Sequence, residues 1–121
     1  MNINTSPLPP DLQEVLDRVS GHLMNRFEKL LSEGCDAENI VAYAASSEDK
    51  TVANFFTLEE WRATIIRFRE NDTFDEQDEQ DALDLVKRPA LGSLRVMLHS
   101  HVGFLAVRLF PKKAFSKGGT T

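Results

Sequence analysis

The sequence predicts an α+β fold, a small single domain holding an N-terminal amphipathic helix, two β-hairpins and two further helices, with an all-α arrangement as the alternative. Three observations point there. An apolar stripe at three- and four-residue steps opens the chain. Two runs rich in β-branched and aromatic residues flank a polar cluster at its centre. A last apolar stretch alternates before Pro111. The 121 residues are 41% hydrophobic and 27% charged, an ordinary globular composition, and about two thirds of the unfolded surface can be buried at this length without disulfide or metal.

Residues 1–10 read as a flexible N-terminal arm, 11–111 as one globular domain and 112–121 as a flexible basic tail. Pro9 and Pro10 fix the backbone ahead of the first helix, with Asp11 as its expected N-cap. Leu12, Val15, Leu16, Val19, Leu23, Phe27, Leu30 and Leu31 then share one helical face, and Gly34 supplies the stop. In residues 39–56, Ile40, Val41, Tyr43, Val52, Phe55 and Phe56 favour strands, whereas Ala42, Ala44 and Ala45 favour helix. A hairpin looping through residues 46–50 is the reading taken; two short helices capped by Asp36 and Ser47 are the alternative.

Thr57-Leu58-Glu59-Glu60 is a capping box, the most specific local signal in the chain. Leu58, Trp61, Ile65 and Phe68 follow on one face of a helix that should end near Asn71. The acidic run Asp72–Asp84 precedes Lys87 and Arg88, a polarity that suits the dipole of another helix, and Pro89 ends it. Residues 94–99 and 105–110 alternate around a turn at His101-Val102-Gly103, a second hairpin, although the same residues also satisfy a helical stripe.

Charge is segregated along the chain. All 19 acids lie at or before Asp84, and against seven bases they leave residues 1–86 at −12, while the remainder carries +7 and no acid. Clustered charge of one sign attracts a surface of the other, so a charge-polarised protein is expected to dock on partners or on its own copies, the latter weakened by salt.

The chain lacks the marks of most catalytic and metal chemistry. The carboxylates of the acidic run have no glycine for a calcium-loop turn. His99 and His101 share a strand spacing, but two ligands are too few for a metal, and His22 and Cys35 lie far away in sequence. No nucleophile elbow, cysteine-protease signature or phosphate-binding glycine loop occurs. The lone Cys35 has no disulfide partner within the chain, and no leader or apolar run of spanning length is evident, so a cytoplasmic location without membrane contact is expected.

The function expected is that of a non-catalytic protein-binding module, such as an inhibitor, chaperone or regulatory adaptor, without cofactor or metal. Its partner-binding residues would be Arg88, Arg95, Arg108, Lys112, Lys113 and Lys117, with Arg95 and Arg108 turned outward on one face of the second hairpin. The alternative is a nucleic-acid-binding protein using the same basic third, with Phe104, Phe110 and Phe115 offering stacking contacts.

Overall fold

A computed structural model describes residues 8–47 and 50–111. The expected arm up to residue 7, the centre of the first hairpin loop and the basic tail lie outside the described residues. The chain runs α1 (Pro10–Ser32), a short 3-10 turn (Ala37–Asn39), β1 (Ile40–Ser47), β2 (Lys50–Thr57), α2 (Leu58–Glu70), α3 (Glu76–Lys87), β3 (Ser93–His99) and β4 (Leu105–Pro111). The four strands form one sheet in the order β2-β1-β3-β4, which decides for α+β against all-α. Each hairpin is antiparallel, and β1 and β3 join them in parallel with Val41 beside Arg95 and Ala45 beside His99.

Helix α1 begins two residues earlier than expected. Pro9 is its N-cap and Pro10 takes the first helical position, where a missing N–H leaves nothing unsatisfied, so Asp11 sits in the first turn instead of capping. The helix closes with Cys35 N–H donating to the Leu30 carbonyl and Gly34 N–H to that of Leu31, the Schellman arrangement that Gly34 permits at φ +96°.

The two inner strands are buried over most of their length, while β2 alternates between exposed and half-buried positions as an edge strand does. Ile40, Ala42 and Ala44 of β1 and Leu94, Val96 and Leu98 of β3 face α1 and pack on its stripe from Leu12 to Phe27. Val41, Tyr43 and Met97 face the opposite way, into a layer built by Trp61 and Ile65 of α2, Ala82, Leu85 and Val86 of α3, and Phe74 between those helices. The small alanines of β1 let α1 approach closely, while the larger side chains fill the side covered by two helices.

The Thr57 capping box falls where the sequence puts it, whereas α3 starts at Glu76, inside the acidic run and not at its head. Thr57 Oγ1 accepts from Glu60 N–H at 3.1 Å and the Glu60 carboxylate accepts from Thr57 N–H at 3.0 Å. Asp75 and Asp78 form a second capping box at the start of α3. The strands of the first hairpin extend to a Ser47–Lys50 pair, so its loop is shorter than residues 46–50.

The second hairpin turns through Ser100–Gly103, with Gly103 N–H donating to the Ser100 carbonyl and Ser100 N–H to that of Phe104. This is a three-residue loop with a glycine bulge, Gly103 standing at φ +99°. It fixes which backbone groups face where. Hydrogen-bonded and non-bonded pairs alternate along an antiparallel ladder, so Ala106, Arg108 and Phe110 bond to β3 and the amides and carbonyls of Leu105, Val107 and Leu109 point to the outer edge of the sheet.

Candidate functional site

The six basic residues singled out in the sequence are not brought to one face. Arg108 is level with Val96, on the α1 side of the sheet, whereas Arg95 is level with Leu109 and Val41, on the side of α2 and α3. Arg95 is also only 2% exposed, which corrects the expectation that it points outward. Its guanidinium donates to the carbonyls of Leu85 at 3.2 Å, Glu38 at 2.6 Å and Arg88 at 2.5 Å. Glu38 lies 3.8 Å away and its carboxylate accepts the amides of Ala90 and Leu91. Those two amides, with the Arg95 charge, hold the Glu38 carboxyl below its ordinary range. Arg95 therefore ties the end of α3 to the turn before β1, and an alternating pattern conceals this because a guanidinium can be buried when every donor finds a carbonyl.

Arg88, the C-cap of α3, is half exposed and pairs with Asp84 at 2.7 Å. Arg108 makes no ion pair among the described residues, and partial burial draws its pKa down. Lys112, Lys113 and Lys117 lie outside the described residues. The Phe104 ring is exposed at the start of β4, Phe110 is buried in the core against α1, and Phe115 lies outside the described residues.

The histidines do not converge either. His99 is half buried at the end of β3, His101 is exposed in the turn and His22 is exposed on α1. Among the described residues no three His, Cys, Asp or Glu side chains are grouped to hold a metal. His99 Nδ1 instead shares a 2.9 Å hydrogen bond with the Tyr43 hydroxyl. Phe68 and Trp61 stack around the Tyr43 ring, and Phe74 meets His99 edge-on. Burial pushes the Tyr43 hydroxyl up to about 12, helped by the Asp78 charge, and burial draws His99 down against the opposing pull of Asp78. Asp78 is itself pushed up, chiefly by burial. A phenol held that far above neutrality is poorly matched to proton transfer at pH 7, so this pair locks β1 to β3 more readily than it serves acid–base chemistry. In the sequence Tyr43 signals only a strand, because its hydrogen-bond partner lies 56 residues away.

At the carboxyl ends of the parallel strands, where open α/β sheets often hold ligands, lies a cleft of about 80 Å³ between Asp11, Glu14, Arg18, Ser46, Ser47, Ser100 and His101. It is small, and its Arg18 is already neutralised by Glu14 at 2.8 Å.

The outer edge of β4 is different. Among the described residues no strand pairs with it, so the outward amides and carbonyls of Leu105, Val107 and Leu109 are left without a ladder partner. The side chains of these three residues are half buried beneath α3, and Val102 and Phe104 beside them are 54% and 49% exposed. The edge thus combines open backbone groups with an aliphatic row, and its barriers to pairing are few: Arg108 on the opposite face and Pro111 at the end. The other edge, β2, exposes Lys50, Val52, Asn54 and Thr57, so polar side chains stand on either side of its one exposed aliphatic residue. Comparison with models of known protein families, with curated proteins and with solved structures finds no match to this chain.

Proposed function

We propose that the chain is a non-catalytic protein-binding module of the cytoplasm, an inhibitor, chaperone or adaptor, and that it engages its partner by strand addition at the outer edge of β4. The observation that carries this reading is the row of outward backbone groups at Leu105, Val107 and Leu109 above half-buried aliphatic side chains. An extended segment laid there gains main-chain hydrogen bonds for affinity and side-chain contacts for specificity. The exposed, unpaired Cys35 suits a reducing compartment, and the neutral Tyr43–His99 pair gives no support to a catalytic reading.

The test is capture from host lysate, with and without nuclease, at physiological salt, with the intact protein beside Val107→Pro. Proline removes one outward N–H and belongs on edges of this kind. One stoichiometric protein retained by the parent and lost by the variant supports the reading. Recovery that vanishes with nuclease transfers the function to nucleic acid, and recovery indifferent to the proline transfers it to another surface.

A further inference from the structure

The corner between α3 and β3 is held in a conformation that its own residues do not favour. Ser93 N–H donates to the Ala90 carbonyl at 2.9 Å, and the two residues between them, Leu91 and Gly92, stand at φ +50° and +83°. Positive φ at both central positions marks a type I′ turn, which selects Asn, Asp or Gly there. Leucine followed by glycine suits a type II turn instead, where only the second central residue needs positive φ. Left-handed backbone crowds the leucine Cβ against the following carbonyl, and a side chain that is 81% exposed gains little burial to offset this.

What offsets it comes from the turn before β1. The Glu38 carboxylate accepts the Ala90 and Leu91 amides at 3.2 Å each, one on either oxygen. Its own position is fixed by Arg95, which lies 3.8 Å from the carboxylate and donates to the Glu38 carbonyl. Both flanks of the turn are anchored, Ala90 by burial and Ser93 by pairing with Pro111. Leu91 therefore reaches negative φ only if the peptide plane ahead of it rotates, and that rotation carries its N–H off the carboxylate. Two charge-assisted hydrogen bonds stand against the strain of one residue.

We propose that Glu38 is a latch on this corner: its carboxylate, braced by Arg95, holds the turn of residues 90–93 in the left-handed form, and its release lets the turn relax to type II and swings Leu91 to a second direction. The two forms share the positive φ of Gly92 and the Ser93–Ala90 hydrogen bond, so switching between them leaves the strand register as it is. The Glu38 side chain is 44% exposed. A guanidinium or ammonium group arriving from outside therefore competes with the two amides for the carboxylate. Contact at Glu38 is then read out as a new direction of an exposed leucine, a bistable element that a bound group biases.

The experiment is solution NMR of the full chain, reading at position 91 the cross-peak between the residue's own amide and Hα protons, which is stronger at positive φ than at negative φ. The parent should show it strong. Glu38→Gln keeps the shape of the side chain and removes its charge, and should shift the ratio of left-handed to relaxed turn by roughly tenfold or more. Adding Leu91→Asn to that variant should restore the left-handed turn, because asparagine before glycine is the sequence a type I′ turn prefers. Should Glu38→Gln fail to fold, Glu38→Asp takes its place with the same expectations, being one methylene too short to hold both amides. Leu91→Asn alone leaves the latch untouched and should raise the urea midpoint. A weak cross-peak in the parent, a turn indifferent to the Glu38 variants, no restoration by Leu91→Asn, or a midpoint that Leu91→Asn leaves equal or lower each overturns the proposal.

Discussion

Arg95 of β3 is a single side chain that ties the end of α3 to the turn before β1. Its guanidinium occupies the carbonyls of Leu85, Glu38 and Arg88 in a site that is 2% exposed. Replacing it with methionine keeps much of the volume but orphans those acceptors and leaves the Glu38 carboxylate without its cation. We expect Arg95→Met to cost about 3 kcal/mol in urea unfolding. Arg95→Lys should rescue little of this, because an ammonium cannot reach three carbonyls in the plane of a fork. Tyr43 and His99 yield predictions of opposite pH sense. The folded state disfavours the charged imidazole, so stability is intact above the ordinary histidine value near 6.5 and is lost as pH falls below it toward the folded value. The raised phenol contributes stability that is whole below pH 10 and drains as pH climbs toward about 12, by roughly 2–3 kcal/mol. Urea midpoints measured across pH 5.5–7.5 should fall on acidification, and the fall should flatten in His99→Phe. The protonation of Asp78, itself raised by burial, acts the other way at the acid end.

At the scale of the element, legibility followed locality. The Thr57–Glu60 box involves residues three apart, and it appears in the structure with both hydrogen bonds made. Thr57→Ala should therefore destabilise the protein by about 1 kcal/mol. The alanines of β1 were ambiguous for a physical reason: Ala42 and Ala44 serve close packing under α1, a demand made by another element and absent from their neighbours in sequence. The end of α2 hides a different cost. Asp72 sits in the left-handed region at φ 61°, with its N–H donating to the Arg69 carbonyl, a position that glycine occupies without strain. Asp72→Gly should thus stabilise the fold, by up to about 1 kcal/mol net of the entropy lost by a glycine. Equilibrium unfolding of the two variants would show shifts of opposite sign, and equal signs would refute the cap assignments.

For the whole molecule, the order of helices and hairpins was legible because each announces itself in a short window, while the sheet order was not. The parallel pairing of β1 with β3 links residues more than fifty positions apart, and that pairing decides which face each side chain takes. It makes β3 an inner strand and encloses Arg95, while the register of the β3–β4 hairpin, set by its three-residue loop, puts Arg108 on the opposite face; together they dissolve the basic face that alternation alone suggested. The same pairing bears on the nucleic-acid alternative. Arg88 is neutralised by Asp84 and Arg95 is enclosed with Glu38, which leaves Arg108, Lys112, Lys113 and Lys117 of that set to meet phosphate. Four cations support a salt slope no steeper than about −3 to −4 for log affinity against log salt, and at ~0.15 M a net charge of −5 opposes even that. Fluorescence anisotropy with labelled single- and double-stranded oligonucleotides should show no binding at physiological salt, and at low salt only a shallow slope that Lys112→Glu with Lys113→Glu abolishes. A steeper slope would mean that the helices supply further cations to the phosphates, and the charge polarity of the chain would then serve nucleic acid instead of the edge of the sheet.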